Sequence, residues 1–127
     1  VEFIMHLVCY FDGACWPNPN GHAASGALIL RDGETVYAGA KYIGCRNTSN
    51  NVAEYHGLIQ VLEKLIELQP ESMTIFGDAD LVIKQMKGEW KVRVPKGNEK
   101  PKYYIPYYWT SCFLCLYRWA CCFNYWG

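Results

Sequence analysis

Three acids stand where elements of structure are expected to begin or end. Asp12 closes the short apolar run Leu7, Val8, Tyr10 and Phe11 and is followed at once by Gly13. Glu54 lies one turn into the strongest helical pattern of the chain, and Asp78 follows the strand-like Met73-Thr74-Ile75-Phe76-Gly77. Carboxylates are hard oxygen donors, and three gathered at one sheet edge suit Mg²⁺ or Mn²⁺. Two such ions roughly 3.5–4 Å apart can activate a water and stabilise the leaving oxygen of an in-line phosphodiester cleavage. That chemistry needs no His or Cys nucleophile. Each acid also has a plain structural role open to it. Asp12 before Gly13 can start a turn, Glu54 can complete a capping box with Asn51 as N-cap, and Asp78 can cap the helix after it. Asp80 rivals Asp78 but reads as a solvated first-turn acid. The case for chemistry rests on the three together.

The elements that must position them follow from periodicity and punctuation. His6–Asp12 reads as a first strand, Cys15–Gly21 as a loop, and His22–Arg31 as a second strand. Asp32-Gly33 is a hairpin signal leading into a third strand, Glu34–Ile43, with Val36, Ala38, Ala40 and Tyr42 on one face. In Asn51–Leu68 the residues Val52, Tyr55, Leu58, Ile59, Leu62, Leu65 and Ile66 recur at helical spacing. Gly57 lets that helix approach the sheet closely, and Gln69-Pro70 ends it. Ser72–Gly77 is a fourth strand and Ala79 to about Met86 a short helix. This is an α/β pattern with the first strand in the centre. If the first and fourth strands are parallel neighbours, Asp12 and Asp78 leave the sheet at the carboxyl edge, where ligands gather in such sheets.

Composition narrows the class. The 127 residues suffice for one core, and the hydrophobic and charged fractions, 51% and 19%, are globular. The net charge of zero hides an asymmetry: residues 1–86 carry five basic residues against ten acids, and 87–127 carry seven against two. Six of those seven lie in 87–102, a basic loop suited to a polyanion beside an acidic metal site. Val1–Phe11 has no leader pattern. Cys9, Cys15 and Cys45 are scattered, as in a reduced cytoplasmic protein. Cys112-x-x-Cys115 is half a zinc site with no well-spaced second pair. From Pro101 onward there is no acid, and six Tyr, three Trp and four Cys crowd the end. Arg118 and the tyrosines argue against a membrane span there. A change of reading frame after Tyr108 would produce this composition.

Three motifs in order, Tyr10-Phe11-Asp12-Gly13-Ala14-Cys15, Asn50-Asn51-Val52-Ala53-Glu54-Tyr55 and Gly77-Asp78 through Gly88-Glu89-Trp90, resemble type 1 ribonuclease H. The resemblance covers about Leu7 to Tyr108. It implies the ribonuclease H-like fold, a mixed five-stranded sheet flanked by helices. Residues 1–108 would form the domain core, with the atypical tail 109–127 in place of its usual C-terminal part. It further implies an endonuclease that cleaves the RNA strand of RNA–DNA hybrids, leaving 5′-phosphate and 3′-hydroxyl ends; the chain is read as a monomer. The family's metal-binding acids map onto Asp12, Glu54 and Asp78, with two Mg²⁺ or Mn²⁺ ions. Gly13, Ala14, Cys15, Asn18 and Asn50 map onto contacts with ribose 2′-hydroxyls, the group that marks RNA. Ser49 maps onto a backbone contact, and Trp90 and Lys91 onto the grip on the DNA strand. Here the chain departs from the family. No Asp or Glu follows Glu99, where the family has a fourth acid, and no His stands late in the chain. Asn124 falls near that acid's separation from Asp78 and brings an amide oxygen without charge. The alternative from another class is a catalytically inactive domain of the same fold that binds nucleic acid.

Overall fold

The computed structural model describes residues 5–87 and the backbone of 121–125. The chain runs β1 (His6–Trp16), β2 (His22–Arg31), β3 (Glu34–Gly44), α1 (Asn50–Leu68), β4 (Ser72–Gly77), α2 (Asp80–Met86) and β5 (Cys121–Tyr125). Four strands lie within 5–87, and β5 brings the mixed sheet to five, in the order β3-β2-β1-β4-β5. β2 pairs antiparallel with both β1 and β3, whereas β4 runs parallel to β1 and to β5. The three-stranded meander and the crossover through α1 are what the sequence pattern predicts. At the β2–β3 hairpin, Asp32 and Gly33 both have positive φ, 50° and 81°, the two-residue turn whose twist suits a hairpin.

β1 corrects the sequence expectation. It does not stop at Asp12. It continues through Gly13, Ala14, Cys15 and Trp16, paired to β2 as far as Trp16↔His22. Only its partnership with β4 ends early, at Phe11↔Gly77. The glycine that reads as a turn is an extended residue in a strand that outruns one of its two neighbours.

Alternation divides β1 cleanly. Leu7, Cys9, Phe11 and Cys15 are buried, while His6, Asp12, Ala14 and Trp16 are exposed. The buried side meets α1, whose Leu58, Val61, Leu62 and Leu65 close the core over Leu7, Cys9, Phe11, Ala27, Ile29 and Ile75. Burial is the main favourable term here, about 25 cal/mol per Å² of apolar surface removed from water. On β3 the run Val36, Ala38, Ala40, Tyr42 shares a face as expected, and that face is exposed.

Helix α1 starts earlier than the sequence suggests. Its N-cap is Ser49, whose Oγ accepts the Val52 N–H at 3.1 Å. Asn51 is therefore inside the first turn, and Glu54 stands too far along to close a capping box. At the other end Gln69 turns left-handed, with φ 54°, and gives its N–H to the Leu65 carbonyl. The cap of α2 is Ala79, which makes no side-chain cap bond, so Asp78 does not cap that helix. Asp80 sits in its first turn, paired with Lys84 at 3.1 Å. Both structural roles that competed for Glu54 and Asp78 are thus absent.

The helix can reach the sheet because two glycines lie where it crosses. A Cβ on Gly57 would lie 2.6 Å from the Asp12 carbonyl oxygen, and one on Gly13 would overlap the Ala53 backbone. Alanine at 57 gains up to about 1 kcal/mol of helix propensity and meets a backbone that must shift, an overpacking cost of about 1–3 kcal/mol. Gly57→Ala is therefore expected to lose about 1–2 kcal/mol net, seen as a lower urea midpoint. A midpoint equal to or above that of the parent chain would contradict this close approach.

Candidate active site

The first residue step beyond the last parallel pair, Phe11↔Gly77, sets Asp12 beside Asp78. Adjacent strands lie about 4.8 Å apart, so two carboxylates are held side by side at the carboxyl edge. Glu54 comes to the same point from α1, at the turn that Gly13 and Gly57 let down onto β1. One carboxylate oxygen from each of Asp12, Glu54 and Asp78 lies within 4.8 Å of the others. Among the described residues this is the one His, Cys, Asp and Glu cluster with ligand spacing.

The three are not equivalent. Asp12 and Asp78 are exposed, and Glu54 is 8% exposed behind them. Asp12 Oδ1 accepts the Gly13 N–H at 2.8 Å, whereas Glu54 Oε2 is buried with no hydrogen-bond partner. An ionised carboxylate in that position is unfavourable, and burial followed by the charges of Asp78 and Asp12 pushes its pKa up to about 8. Asp78 is also raised, by burial first and by Asp12 second. An orphaned carboxylate oxygen beside two further acids fits a divalent cation, which would satisfy the oxygen and the charge together.

A polar network anchors the flank of this cluster. Asn50 Oδ1 accepts the Cys15 N–H at 2.9 Å, and the Asn50 N–H donates to Asn18 Oδ1 at 3.1 Å. Cys15, Asn18 and Asn50 are thus in contact, next to Gly13 and the exposed Ala14. The Cys15 side chain itself is buried, with Sγ directed to the Pro17 and Gly21 carbonyls. Asn50 and Asn18 both use their Oδ1 as acceptors here, which leaves the network's side-chain donors as their amide NH₂ groups. Ser49 is committed to its cap. Thr48 does not stand out in the sequence, yet it holds the network in place. It is buried, its hydroxyl donates to the Gly21 carbonyl at 2.6 Å, and its carbonyl accepts the Asn20 N–H at 2.8 Å. Its only sequence signal is a hydroxyl residue before the cap, which many loops share. Trp90 and Lys91 lie outside the described residues, as do Cys112, Cys115 and most of the basic loop. Asn124 belongs to β5, where its backbone pairs with Phe76, two residues before Asp78.

A mixed sheet in this order, with acids at the carboxyl edge of its central parallel pair, defines the ribonuclease H fold class. Residues 10–99 match the family model described as "Reverse transcriptase-like". The chain belongs to that family, and within it to type 1 ribonuclease H. It is 41% identical over 92 residues to the "Bifunctional protein Rv2228c" of Mycobacterium tuberculosis, covering 72% of this chain and 25% of the relative. It is 38% identical over 91 residues to "Ribonuclease HI" of Halobacterium salinarum, covering 72% of this chain and 45% of the relative. The chain thus spans less than half the length of these curated relatives. Among solved structures, LC11-RNase H1 in complex with an RNA/DNA hybrid superposes with a TM-score of 0.79 at 27% identity, over 95% of this chain and 85% of that one.

The raised Glu54 pKa has a measurable consequence. Between its ordinary 4.5 and about 8 the folded chain holds the proton more tightly than the unfolded one. In metal-free protein this contribution to stability is therefore present below about pH 4.5 and lost as pH rises to about 8. His56, whose pKa is lowered by burial and by Lys41, acts in the opposite sense. Thermal melts in chelator should show a loss with rising pH that is smaller in Glu54→Gln, and saturating Mg²⁺ should reduce it in the parent chain. Equal pH slopes for parent and variant would refute this assignment of the buried carboxyl.

Proposed function

We propose that this chain is an endoribonuclease that cleaves the RNA strand of RNA–DNA hybrids, with Mg²⁺ or Mn²⁺ held by Asp12, Glu54 and Asp78. The observation that carries the proposal is the convergence of these three carboxylates from β1, α1 and the end of β4, with a buried oxygen left unpaired. Bound divalent ions, two in the fullest form, would supply an activated water and charge stabilisation for the leaving oxygen. The chain's own residues do the rest. Asp12 and Asp78 present anionic oxygens at the mouth of the site, and Glu54 presents one from behind. In this reading the Asn18 and Asn50 amides, with the backbone of Gly13, Ala14 and Cys15, recognise a ribose 2′-hydroxyl, supported by the bonds that draw Cys15, Asn18 and Asn50 together beside Asp12. Ser49 orients α1, and Trp90, Lys91 and the basic stretch 87–102 take the DNA strand, with affinity that falls steeply with salt. The products carry 5′-phosphate and 3′-hydroxyl ends. A hybrid is bound in the solved complex of LC11-RNase H1, which shares this fold. A cytoplasmic monomer completes this reading; the cysteines among the described residues, at 9, 15 and 45, are free, as in a reducing compartment. No helix among the described residues is long and apolar enough to cross a membrane.

One feature favours a second reading, a domain that binds hybrid without cutting it. Residues 100–127 hold no acid, so a second ion held by the residues in hand would meet fewer charges, with Asn124 as the weak substitute. A labelled hybrid incubated with Mg²⁺ or Mn²⁺ separates the two. For the enzyme, Asp12→Asn lowers the cleavage rate by about a hundredfold or more, about 3 kcal/mol of transition-state stabilisation, while hybrid binding persists. Binding without cleavage in the parent chain, unaltered by Asp12→Asn, would establish the binding module instead.

A further inference from the structure

The exposed face that carries Asp12 continues along β1 into a corner of aromatic rings. Side chains two apart on a strand share a face, so Asp12, Ala14 and Trp16 lie in one row. Ala14 pairs with Ala24, Ala24 with Tyr42, and Trp16 with His22. The two alanines add only methyl groups, leaving a shallow floor that leads away from Asp12. At its end Trp16 is 81% exposed and Tyr42 60% exposed. His22 Nδ1 and the Tyr42 hydroxyl are hydrogen-bonded at 2.6 Å, with ring centroids 5.9 Å apart. Single exposed apolar residues are ordinary on protein surfaces. Three rings at one corner, two of them bonded together and all continuous with a polar site, are not of that scattered kind. The His–Tyr bond restrains both rings before anything binds, so less side-chain freedom is lost on contact.

We propose that Trp16, supported by the His22–Tyr42 pair, is a rest for the sugars and bases of the nucleic-acid strand that flanks the cleaved bond. The proposal rests on the hybrid-cleaving reading and adds a subsite to it. Four residue steps along the strand lead from Asp12 to Trp16, about 13 Å at about 3.3 Å each. At about 3.4 Å of duplex axis per nucleotide, that is three to four nucleotides from the bond. Of its three rings only His22 can carry a positive charge, so among the described residues the grip is chiefly apolar contact and stacking. Phosphate contacts release counterions and weaken with salt, and this contact does not.

The test is steady-state cleavage of labelled hybrids by the parent chain, Trp16→Ala and Trp16→Phe across a salt series. Trp16→Ala is expected to raise KM about 5- to 20-fold with the loss confined to KM. The slope of log KM against log salt stays that of the parent, and Trp16→Phe recovers most of the loss. Trimming the hybrid to within two base pairs of the cleaved bond on one flank removes the difference between parent and variant, and trimming the other flank does not. A KM for Trp16→Ala within twofold of the parent on long hybrids, or a changed salt slope, overturns the proposal while leaving the cleavage reading intact. Absence of both cleavage and hybrid binding in the parent chain overturns both.

Discussion

The site depends on how closely one helix is allowed to approach one strand. Glu54 reaches the sheet edge only because α1 lies with Gly57 on the Asp12 carbonyl and Ala53 on Gly13. Ordinary side chains at these contacts would lift the helix by a side-chain layer and carry Glu54 out of reach of Asp12. Glycine in a helix interior weakens the helix by about 1 kcal/mol relative to alanine, and glycine in a strand leaves nothing to pack. Both penalties are accepted at the one place where the two backbones must touch. The hydrophobic contacts of Leu58, Leu62 and Leu65 further along then hold the helix at that distance.

Closeness creates an electrostatic problem that the fold alone does not solve. Asp12 and Asp78 stand side by side one step past the end of the β1–β4 ladder, where like charges repel, and Glu54 adds a third acid from the drier side. The described residues place no cation of their own in the cluster: Lys84 is paired with Asp80 and Lys64 with Glu67. The unpaired Glu54 Oε2 marks the deficit at a single atom. Such an arrangement is a poor way to stabilise a domain and a good way to hold a hard cation, since the ion removes the repulsion that the apo site stores.

Much of this is legible in the sequence, and the gaps have physical causes. The order of elements and the parallel pairing of the first and fourth strands follow from period and punctuation. The contact role of Gly57 can be read because a glycine interrupts an otherwise strong helical face. Local pattern misplaces Asp12 at a strand end because Asp-Gly is a turn signal, whereas β2 supplies a pairing partner that keeps the chain extended to Trp16. It favours Asn51 over Ser49 as the cap because a run of four capping-competent residues, Thr48 to Asn51, gives no local ground for choosing. Thr48 escapes it for a related reason: its bond to Gly21 spans 27 residues of sequence, and no local pattern records a contact of that range. The tail departs from a helix pattern in composition, yet the backbone of Cys121–Tyr125 runs as a strand beside β4, and aromatic residues favour strands over amphipathic helices.

The unequal lengths of β1's two partnerships explain why one strand can carry so much of the site. As far as Phe11 it is a central strand with both edges paired, and its residues are committed to the core. Beyond Phe11 it keeps β2 and loses β4, so among the described residues that edge has no strand partner. Asp12 is the first residue in that half-open stretch, close enough to the paired region to be rigid and far enough to face solvent. Alternation then sorts the four residues after it. Gly13 and Cys15 turn toward α1 and the asparagine network, which locks the strand's position through the bond from Cys15 N–H to Asn50. Ala14 and Trp16 turn the other way, onto the surface that begins at Asp12. A true turn at Gly13 would have kept the acid and lost both rows. The extension of β1 past its parallel neighbour is therefore what joins the carboxylate cluster to the exposed row of Ala14 and Trp16.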